Sequence, residues 1–199
     1  TMCGRVVRLD LNPDLTRQTE LYDKEIHPAY NSPLYKTEIA AINSDCLEYA
    51  RKVAVIDDSV SVLNMASRQN PGGGVYSGAG AQEEYLFRCT DYYRSLFQYG
   101  SFSSNYGIPA AVKQYPLDQN FGGCFSPDVT VFRSSEENGY RLLRKPWKVN
   151  FIAVSGMNRP KLIDQNGEWR IDDCLVEGVK NKIRTILRIA ILNGQQTLL

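Results

Sequence analysis

The feature that most constrains the fold is an apolar run that leads into a cluster of glycines. Residues 60–66 read VSVLNMA, a β-branched and apolar segment that predicts a buried strand. Three consecutive glycines, Gly72–Gly74, follow it, and apolar residues at helical spacing predict a helix from about Gln82 to Gln98. The order strand, glycine loop and helix directs backbone N–H groups and a helix N-terminus towards one point in space.

Other segments extend this alternation of strands and helices. Asn12-Pro13-Asp14 opens a short predicted helix, and residues 99–127 read as a long ordered loop with short helical turns. Further strands are predicted at residues 37–43, 128–133, 149–154 and 195–199. Further helices are predicted at 44–53, capped by Ser44, and from Asp172 or Asp173 to Asn193-Gly194. This pattern implies a layered α/β domain with helices on both faces of the sheet.

Charge and composition exclude several classes of function. Lys plus Arg number 23 and Asp plus Glu 22, so the net charge of +1 gives no case for direct, sequence-specific nucleic-acid binding. No apolar run approaches the roughly 20 residues that a membrane helix needs, and the N-terminus lacks a signal-peptide core. The five cysteines form no CxxC pair, which favours reduced thiols and a cytoplasmic location, with the nucleus equally open in a eukaryote.

The glycine triplet itself has two readings. Three glycines cost conformational entropy, so either the turn requires them or another molecule approaches the backbone where a Cβ would obstruct it. Two known phosphate loops are excluded by spacing. No Lys followed by Ser or Thr comes after the last glycine, as a P-loop requires. The dinucleotide pattern GxGxxG is also broken. Starting from Gly72 and Gly74, its last glycine would stand at position 77, which is Ser77, and the next glycine is Gly78.

The residues Gln82-Glu83-Glu84 add chemistry to this loop. Acidic residues in a first helical turn often do no more than complement the helix dipole. Here they follow a loop that can hold a ligand, and two neighbouring carboxyls in one pocket tend to titrate at different pH values. One carboxylate could then accept hydrogen bonds from sugar hydroxyls, while the other carries the proton of a general acid.

These residues belong to a longer pattern that resembles a known family. The pattern consists of Asn70-Pro71-Gly72-Gly73-Gly74, Gly78-Ala79 and Ala81-Gln82-Glu83-Glu84, with Leu86 and Arg88. It resembles the signature of the bacterial-type poly(ADP-ribose) glycohydrolases, a branch of the macrodomain superfamily. Supporting segments are residues 63–67, residues 126–133 and the predicted strand near Phe151. The resemblance spans roughly residues 37–199.

The resemblance implies a fold and a division of the chain. The fold is a macrodomain-like three-layer α/β/α sandwich with a mixed sheet, which holds ADP-ribose in a cleft at one end. Residues 1–36 would be an N-terminal extension packing on this domain, and residues 37–199 the glycohydrolase domain. In the family, the strand begun by residues 195–199 leads to a second glycine loop and an adenine-stacking aromatic. We therefore expect the C-terminal strand and loop to be incomplete in these 199 residues, with a further segment or a partner completing the pocket.

The resemblance also implies roles for individual residues. Glu84 would be the catalytic acid that protonates the leaving oxygen of the ribose–ribose bond, and Glu83 would bind hydroxyls of the reacting ribose. The remaining substrate-binding residues implied are Gln82 at the loop-to-helix turn, Gly72, Gly73, Gly74 and Val75 through their backbone amides, and Ser67. Cleavage through an oxocarbenium-like state requires leaving-group protonation and no metal or other cofactor. The single histidine, His27, is read as a loop residue.

Several alternatives stay open. The chain is predicted to be a glycohydrolase whose partner is ADP-ribose or poly(ADP-ribose) on modified proteins. It could instead be a non-catalytic module that reads ADP-ribose, or a domain that is inactive alone. A cluster of aromatic residues could stack on bases, although core packing is the favoured reading. Its members are Tyr92, Tyr93, Phe97, Tyr99, Phe102 and Tyr106.

Overall fold

The computed structural model describes residues 9–29 and 36–199 of the chain. The α-helices are α1 (Leu15–Gln18), α2 (Cys46–Val53), α3 (Gln82–Cys89), α4 (Tyr93–Leu96) and α5 (Asp173–Leu192). The strands are β1 (Glu20–Tyr22), β2 (Val60–Met65), β3 (Gly123–Arg133), β4 (Leu142–Val154), β5 (Leu162–Gln165), β6 (Glu168–Ile171) and β7 (Thr197–Leu198). Short 3₁₀ turns lie at Val75–Ser77, Phe97–Tyr99 and Ser103–Tyr106.

Five of the strands form one mixed sheet in the order β1-β3-β4-β2-β7. The pairs β1–β3 and β3–β4 are antiparallel, whereas β2 runs parallel to both β4 and β7. Strand β1 belongs to the segment assigned to an N-terminal extension, and Leu15 of the same segment is buried in the core. The boundary at residue 36 stays a prediction, as does the expectation about chain beyond Leu199.

Helices cover both faces of the sheet. On one face, Phe151 and Ala153 of β4 lie in a large apolar cluster with Leu47 of α2 and Leu86 of α3. The alternate residues of β4 point to the other face, where Ile152 and Val154 pack in a second cluster against α5. The predicted three-layer α/β arrangement with a mixed sheet is therefore confirmed.

Most predicted elements are present, with shifted ends. The strands at 128–133 and 149–154 are the inner parts of longer β3 and β4, and the strand in 195–199 is β7. Helix α2 is capped by Asp45 rather than Ser44, because the Asp45 carboxylate accepts the N–H groups of Leu47 and Glu48 at 3.0 Å. Asp172 caps α5. The turn at Asn166-Gly167 connects β5 and β6, and the hairpin that these strands form was not predicted.

Two predictions of regular structure are wrong. Residues 37–43 form no strand. Ile39 is 94% exposed, so its apolar side chain makes no core contact that would stabilise a strand there. The helix predicted for Gln82–Gln98 stops at Cys89, because Thr90 adopts extended backbone and bridges to Val131 of β3. The buried Asp91 carboxylate accepts the Thr130 N–H at 2.7 Å, which secures the break against the sheet.

Candidate active site

A cleft of about 740 Å³ lies where the parallel strands β2 and β4 end. The loop after β2 lines it with residues 66–69, and the loop after β4 lines it with residues 156–161. Glu83 and Glu84, at the start of α3, lie between them. Carboxyl ends of adjacent parallel strands are a common position for ligand sites in α/β folds.

Gln82 holds the start of α3 against β2. Its side-chain nitrogen donates to the Leu63 carbonyl at 2.7 Å, and its oxygen accepts the Met65 N–H at 2.8 Å. The amide thus bonds the backbone of β2 in the way that a neighbouring strand would. Gln82 does not line the cleft that contains Glu83 and Glu84. Its hydrogen bonds therefore position the start of α3. Direct contact between Gln82 and substrate stays a prediction.

The glycine loop lies directly against the two carboxylates. Gly72 and Gly73 have φ values of +80° and +57°, which disfavour a side chain. A Cβ on Gly73 would overlap the Oε1 atom of Glu84 and lie 3.0 Å from Oε2 of Glu83. The turn therefore requires glycine, and the groups that approach the Gly73 backbone are the protein's own carboxylates. Approach of another molecule to this backbone stays a prediction.

Glu83 is buried and held through both of its oxygens. Oε2 accepts the Ser67 N–H at 2.7 Å, and Oε1 accepts the Gly72 N–H at 3.1 Å and the Asn64 side-chain amide at 3.3 Å. Burial raises the pKa of Glu83 to about 7, although these donors oppose the shift. The carboxyl is therefore fixed in place and titrates near neutral pH.

Glu84 differs from its neighbour in having one uncommitted oxygen. Its Oε1 accepts the Gly74 N–H at 2.7 Å, whereas its Oε2 is buried and has no hydrogen-bond partner among the described residues. Buried carboxyl oxygens are rarely left unpaired, so this atom is a marked exception in the protein. Glu84 is thus the carboxyl of the pair that keeps an oxygen free for a further hydrogen bond.

Three cationic side chains also line the cleft, a feature that sequence reasoning missed. Arg68 follows β2, and Arg159 and Lys161 follow β4. The Nε atom of Arg68 is buried without a partner among the described residues, and Lys161 pairs with Asp172 at 3.0 Å. The sequence did contain a signal for Arg159 and Lys161. They lie in residues 155–161, directly after the predicted buried strand 149–154, and ligand-binding residues often follow such strands.

The remaining predicted residues bond within the protein. The N–H groups of Gly73 and Val75 donate to the carbonyls of Asn70 and Gly72, at 3.0 and 3.2 Å. Those of Gly72 and Gly74 donate to the two glutamates, as described above. The Ser67 hydroxyl accepts from backbone N–H groups of its own turn, while the residue lines the cleft. Contact of these amides and of Ser67 with a ligand stays a prediction.

Neither a metal cluster nor a membrane span is present in the part of the chain that the structure describes. Over residues 9–29 and 36–199, no three or more His, Cys, Asp and Glu side chains are grouped to hold a metal ion. Within the same ranges, no helix has the length and apolar character needed to cross a bilayer. His27 is exposed and lies 3.8 Å from the carboxylate of Glu25, outside the cleft.

Fold and site together define an α/β domain with a carboxylate pair held by a glycine loop at one end of a mixed sheet. The family model of the microbial-type PARG catalytic domain, where PARG is poly(ADP-ribose) glycohydrolase, matches residues 3–134, about two thirds of the chain. The chain belongs to this family. The match includes the glycine loop, both glutamates and all of β3.

Solved structures agree with this assignment. The inhibitor-bound glycohydrolase of Thermomonospora curvata, in complex with ADP-HPD, shares 29% identity at a TM-score of 0.66, over 93% of this chain and 64% of that one. Another structure of the T. curvata enzyme gives 28% identity, a TM-score of 0.67, and 93% and 66% coverage. The Deinococcus radiodurans glycohydrolase, solved with ADP-ribose, shares the fold at 22% identity and a TM-score of 0.66, over 96% of this chain and 76% of that one.

The chain thus spans slightly less than two thirds of the length of the T. curvata proteins. A comparison with curated protein sequences gives no significant match.

Proposed function

We propose that the protein hydrolyses the ribose–ribose O-glycosidic bond of poly(ADP-ribose) and releases ADP-ribose, with Glu84 as the general acid. The observation that carries this proposal is the unpaired, buried Oε2 atom of Glu84 in the cleft wall. A carboxyl anchored through one oxygen and free at the other is arranged to hand a proton to a bound group.

The proposed step balances around one bond. The bond between the anomeric carbon of the ribose and the bridging oxygen breaks, and the bridging oxygen takes the proton of Glu84. The ribose passes through an oxocarbenium-like state, water adds to its anomeric carbon, and the proton of that water returns to the Glu84 carboxylate. A positioned acid of this kind contributes roughly 10²–10⁴-fold to the rate.

Glu83 has a different part in this proposal. Its Oε1 already accepts two N–H groups, whereas its Oε2 accepts one and retains a lone pair for a sugar hydroxyl. It would orient the reacting ribose and, when ionised, stabilise the positive charge that develops on the ring. Its fixed position next to Glu84 places the sugar before the proton moves.

The charge of the cleft fits a ligand with a diphosphate. Arg68, Arg159 and Lys161 line the same cleft as the carboxylates, and an arginine fork or a lysine ammonium binds phosphate oxygens well. The T. curvata relative of the same fold was solved bound to ADP-HPD, which supports an ADP-ribose unit as the ligand here. The expected partners are therefore ADP-ribose or poly(ADP-ribose) on modified proteins.

Two broader assignments belong to the same proposal. We place the fold in the macrodomain superfamily, on the mixed sheet between helix layers and the cleft at its end. We also propose a reducing compartment, the cytoplasm or in a eukaryote the nucleus. This rests on the cysteines of the described ranges, which are all unpaired: Cys46, Cys89, Cys124 and Cys174.

The direct test is release of ADP-ribose from purified polymer, followed by chromatography. We expect the wild-type chain to release ADP-ribose and Glu84→Gln to release none above background. Glu168→Gln, which changes an exposed glutamate of the β5–β6 hairpin, is the matched control and should act like the wild type. Polymer binding without release by the wild type would contradict the enzyme and favour an ADP-ribose reader.

A further inference from the structure

A second cavity borders the glycine loop at Gly73 and shares no lining residue with the cleft. It measures about 360 Å³, and its aromatic walls are Tyr76, Phe102 and Tyr106. The side-chain amides of Asn70 and Asn105 lie at the same cavity. We call these five residues the aromatic pocket. The size and the mixture of aromatic walls with a few polar groups are typical of a small-molecule site.

The rings of this pocket are more exposed than packing requires. Tyr76 is 60% exposed and Tyr106 is 41% exposed, while the neighbouring Phe97 is buried and anchors the cluster. The Tyr76 ring centroid lies 5.9 Å from that of Tyr106 and 6.0 Å from that of Phe102. Tyr76 also packs against Phe97, with 5.9 Å between the ring centroids, so the cluster supports the Tyr76 ring while most of the residue stays open to another ring.

The aromatic pocket adjoins the proposed acid through a single residue. Gly73 lines the pocket, and the position of its absent Cβ lies against the Glu84 carboxyl. Gly74, the next residue, donates its N–H to the same carboxyl. A molecule whose leaving oxygen meets Glu84 can therefore reach the aromatic pocket by passing over the glycine loop.

The chemistry of the polymer identifies the occupant. In poly(ADP-ribose) the bridging oxygen is a ribose hydroxyl of an adenosine, and the adenine is attached to the adjacent carbon of that ribose. The first aromatic group beyond the bond that breaks is thus the adenine of the leaving unit. We propose that the aromatic pocket stacks this adenine, with the amides of Asn70 and Asn105 meeting its edge.

This inference rests on the proposed function and deepens it, since it assigns a site for the part of the substrate that departs. A site for the leaving adenine would distinguish polymer from a single ADP-ribose, which the cleft alone does not do. A single ADP-ribose fills the cleft and leaves the aromatic pocket empty, whereas a dimer of ADP-ribose fills both. Tyr76 therefore contributes to recognition of polymer and contributes nothing to recognition of the monomer.

The test compares ligand binding by variants in a Glu84→Gln background, where no hydrolysis consumes the ligand. NMR titration with ADP-ribose and with its dimer detects affinities down to the millimolar range. We expect Tyr76→Ala to weaken dimer binding about tenfold, equivalent to about 1.4 kcal/mol, and to leave monomer binding unchanged. Tyr93→Ala is the matched control, because Tyr93 belongs to the same aromatic cluster without lining the pocket.

The outcomes separate this inference from the function on which it rests. Equal weakening of monomer and dimer by Tyr76→Ala, or no change in either, overturns the inference and leaves the glycohydrolase proposal standing. Failure of both ligands to bind any variant overturns both. Thermal melting of each variant establishes that it is folded, and Tyr76→Phe should restore dimer binding if stacking is the cause.

Discussion

The two walls of the cleft are built in different ways. The carboxylate wall, meaning Glu83 and Glu84 with the backbone that holds them, is bonded at three of its four carboxylate oxygens: both of Glu83 and Oε1 of Glu84. The cationic wall, meaning Arg68, Arg159 and Lys161, consists of long side chains on loops, with Arg159 at a φ of +49° and the Nε of Arg68 without a partner among the described residues. The carboxylates are fixed by backbone N–H groups before a ligand arrives, whereas the cations extend from loops.

This difference suggests a division of labour. Groups that act on the reacting bond must be held within a fraction of an ångström, because misplacement is costly for the rate. Cations that meet phosphate oxygens can adapt, since their attraction falls off slowly with distance. We therefore expect substitutions in the carboxylate wall to lower the rate of hydrolysis, and substitutions in the cationic wall to lower affinity alone.

The largest combined loss of stability and rate in the carboxylate wall is expected from Gly73→Ala. The new Cβ would overlap Glu84 at a left-handed φ, so the carboxyl must move. We expect a loss of about 3 kcal/mol in the free energy of unfolding and about a 10²-fold loss of hydrolysis. Gly78→Ala is the matched control, because Gly78 has a φ of +79° and open space around its Cβ position.

The control isolates the cause. Gly78→Ala carries the backbone strain alone, so it should cost about 1 kcal/mol and leave the rate nearly unchanged. Urea denaturation and initial rates on polymer measure both quantities. Equal losses of rate in the two variants would show that backbone strain, rather than displacement of Glu84, is what matters.

The next effect concerns the pH dependence of stability. The pKa of Glu83 is raised to about 7 in the folded protein, so the folded state binds this proton more tightly than the unfolded state does. Its contribution to stability is complete below the unfolded pKa and is lost as the pH rises towards 7, a change of about 3 kcal/mol in all. We expect Glu83→Gln to flatten this part of the stability curve.

The comparison variant for that measurement is Glu168→Gln, whose exposed carboxyl should leave the curve unaltered. Denaturant titrations between pH 5 and pH 8 give the free energy of unfolding at each point. If the wild type and Glu83→Gln show parallel curves over this range, Glu83 is not the buried group that titrates there.

The smallest effect is expected on the cationic wall. Arg68→Gln removes one cation from the cleft, and we expect ADP-ribose affinity to fall roughly fivefold, about 1 kcal/mol, because water partly screens such contacts. The rate at saturating substrate should be unchanged, and the difference should shrink at high salt. Arg170→Gln, on the exposed hairpin, is the control for loss of charge alone. A lower saturated rate in Arg68→Gln would contradict the division between the walls.

The sequence predicted the fixed wall better than the adaptable one. The run 60–66, the glycines and Gln82-Glu83-Glu84 are close along the chain, so local pattern brings them together. Arg159 and Lys161 reach the cleft only because β4 lies parallel to β2, and that pairing depends on the sheet order. The family resemblance supplied roles for the glutamates but no indication of these cations.

Local pattern also failed where tertiary contacts decide the structure. Apolar periodicity predicted that the helix would continue past Cys89, whereas the bridge from Thr90 to Val131 and the bond from Thr130 to Asp91 end it there. The N–H groups of Gly72 and Gly74 bond to the two glutamates, partners that the sequence pattern did not indicate. Contact of the glycine amides with a ligand stays a prediction.

The most direct test of the account is a paired measurement on Glu84→Gln, in which polymer affinity and single-turnover hydrolysis are determined on the same preparation. Because Glu84 keeps its anchoring bond through Oε1 and acts through Oε2, the variant should bind polymer as the wild type does. We predict that its rate falls by roughly 10²–10⁴-fold, the contribution of a positioned acid. Hydrolysis at the wild-type rate by a folded Glu84→Gln protein would contradict the assignment of Glu84 as the acid.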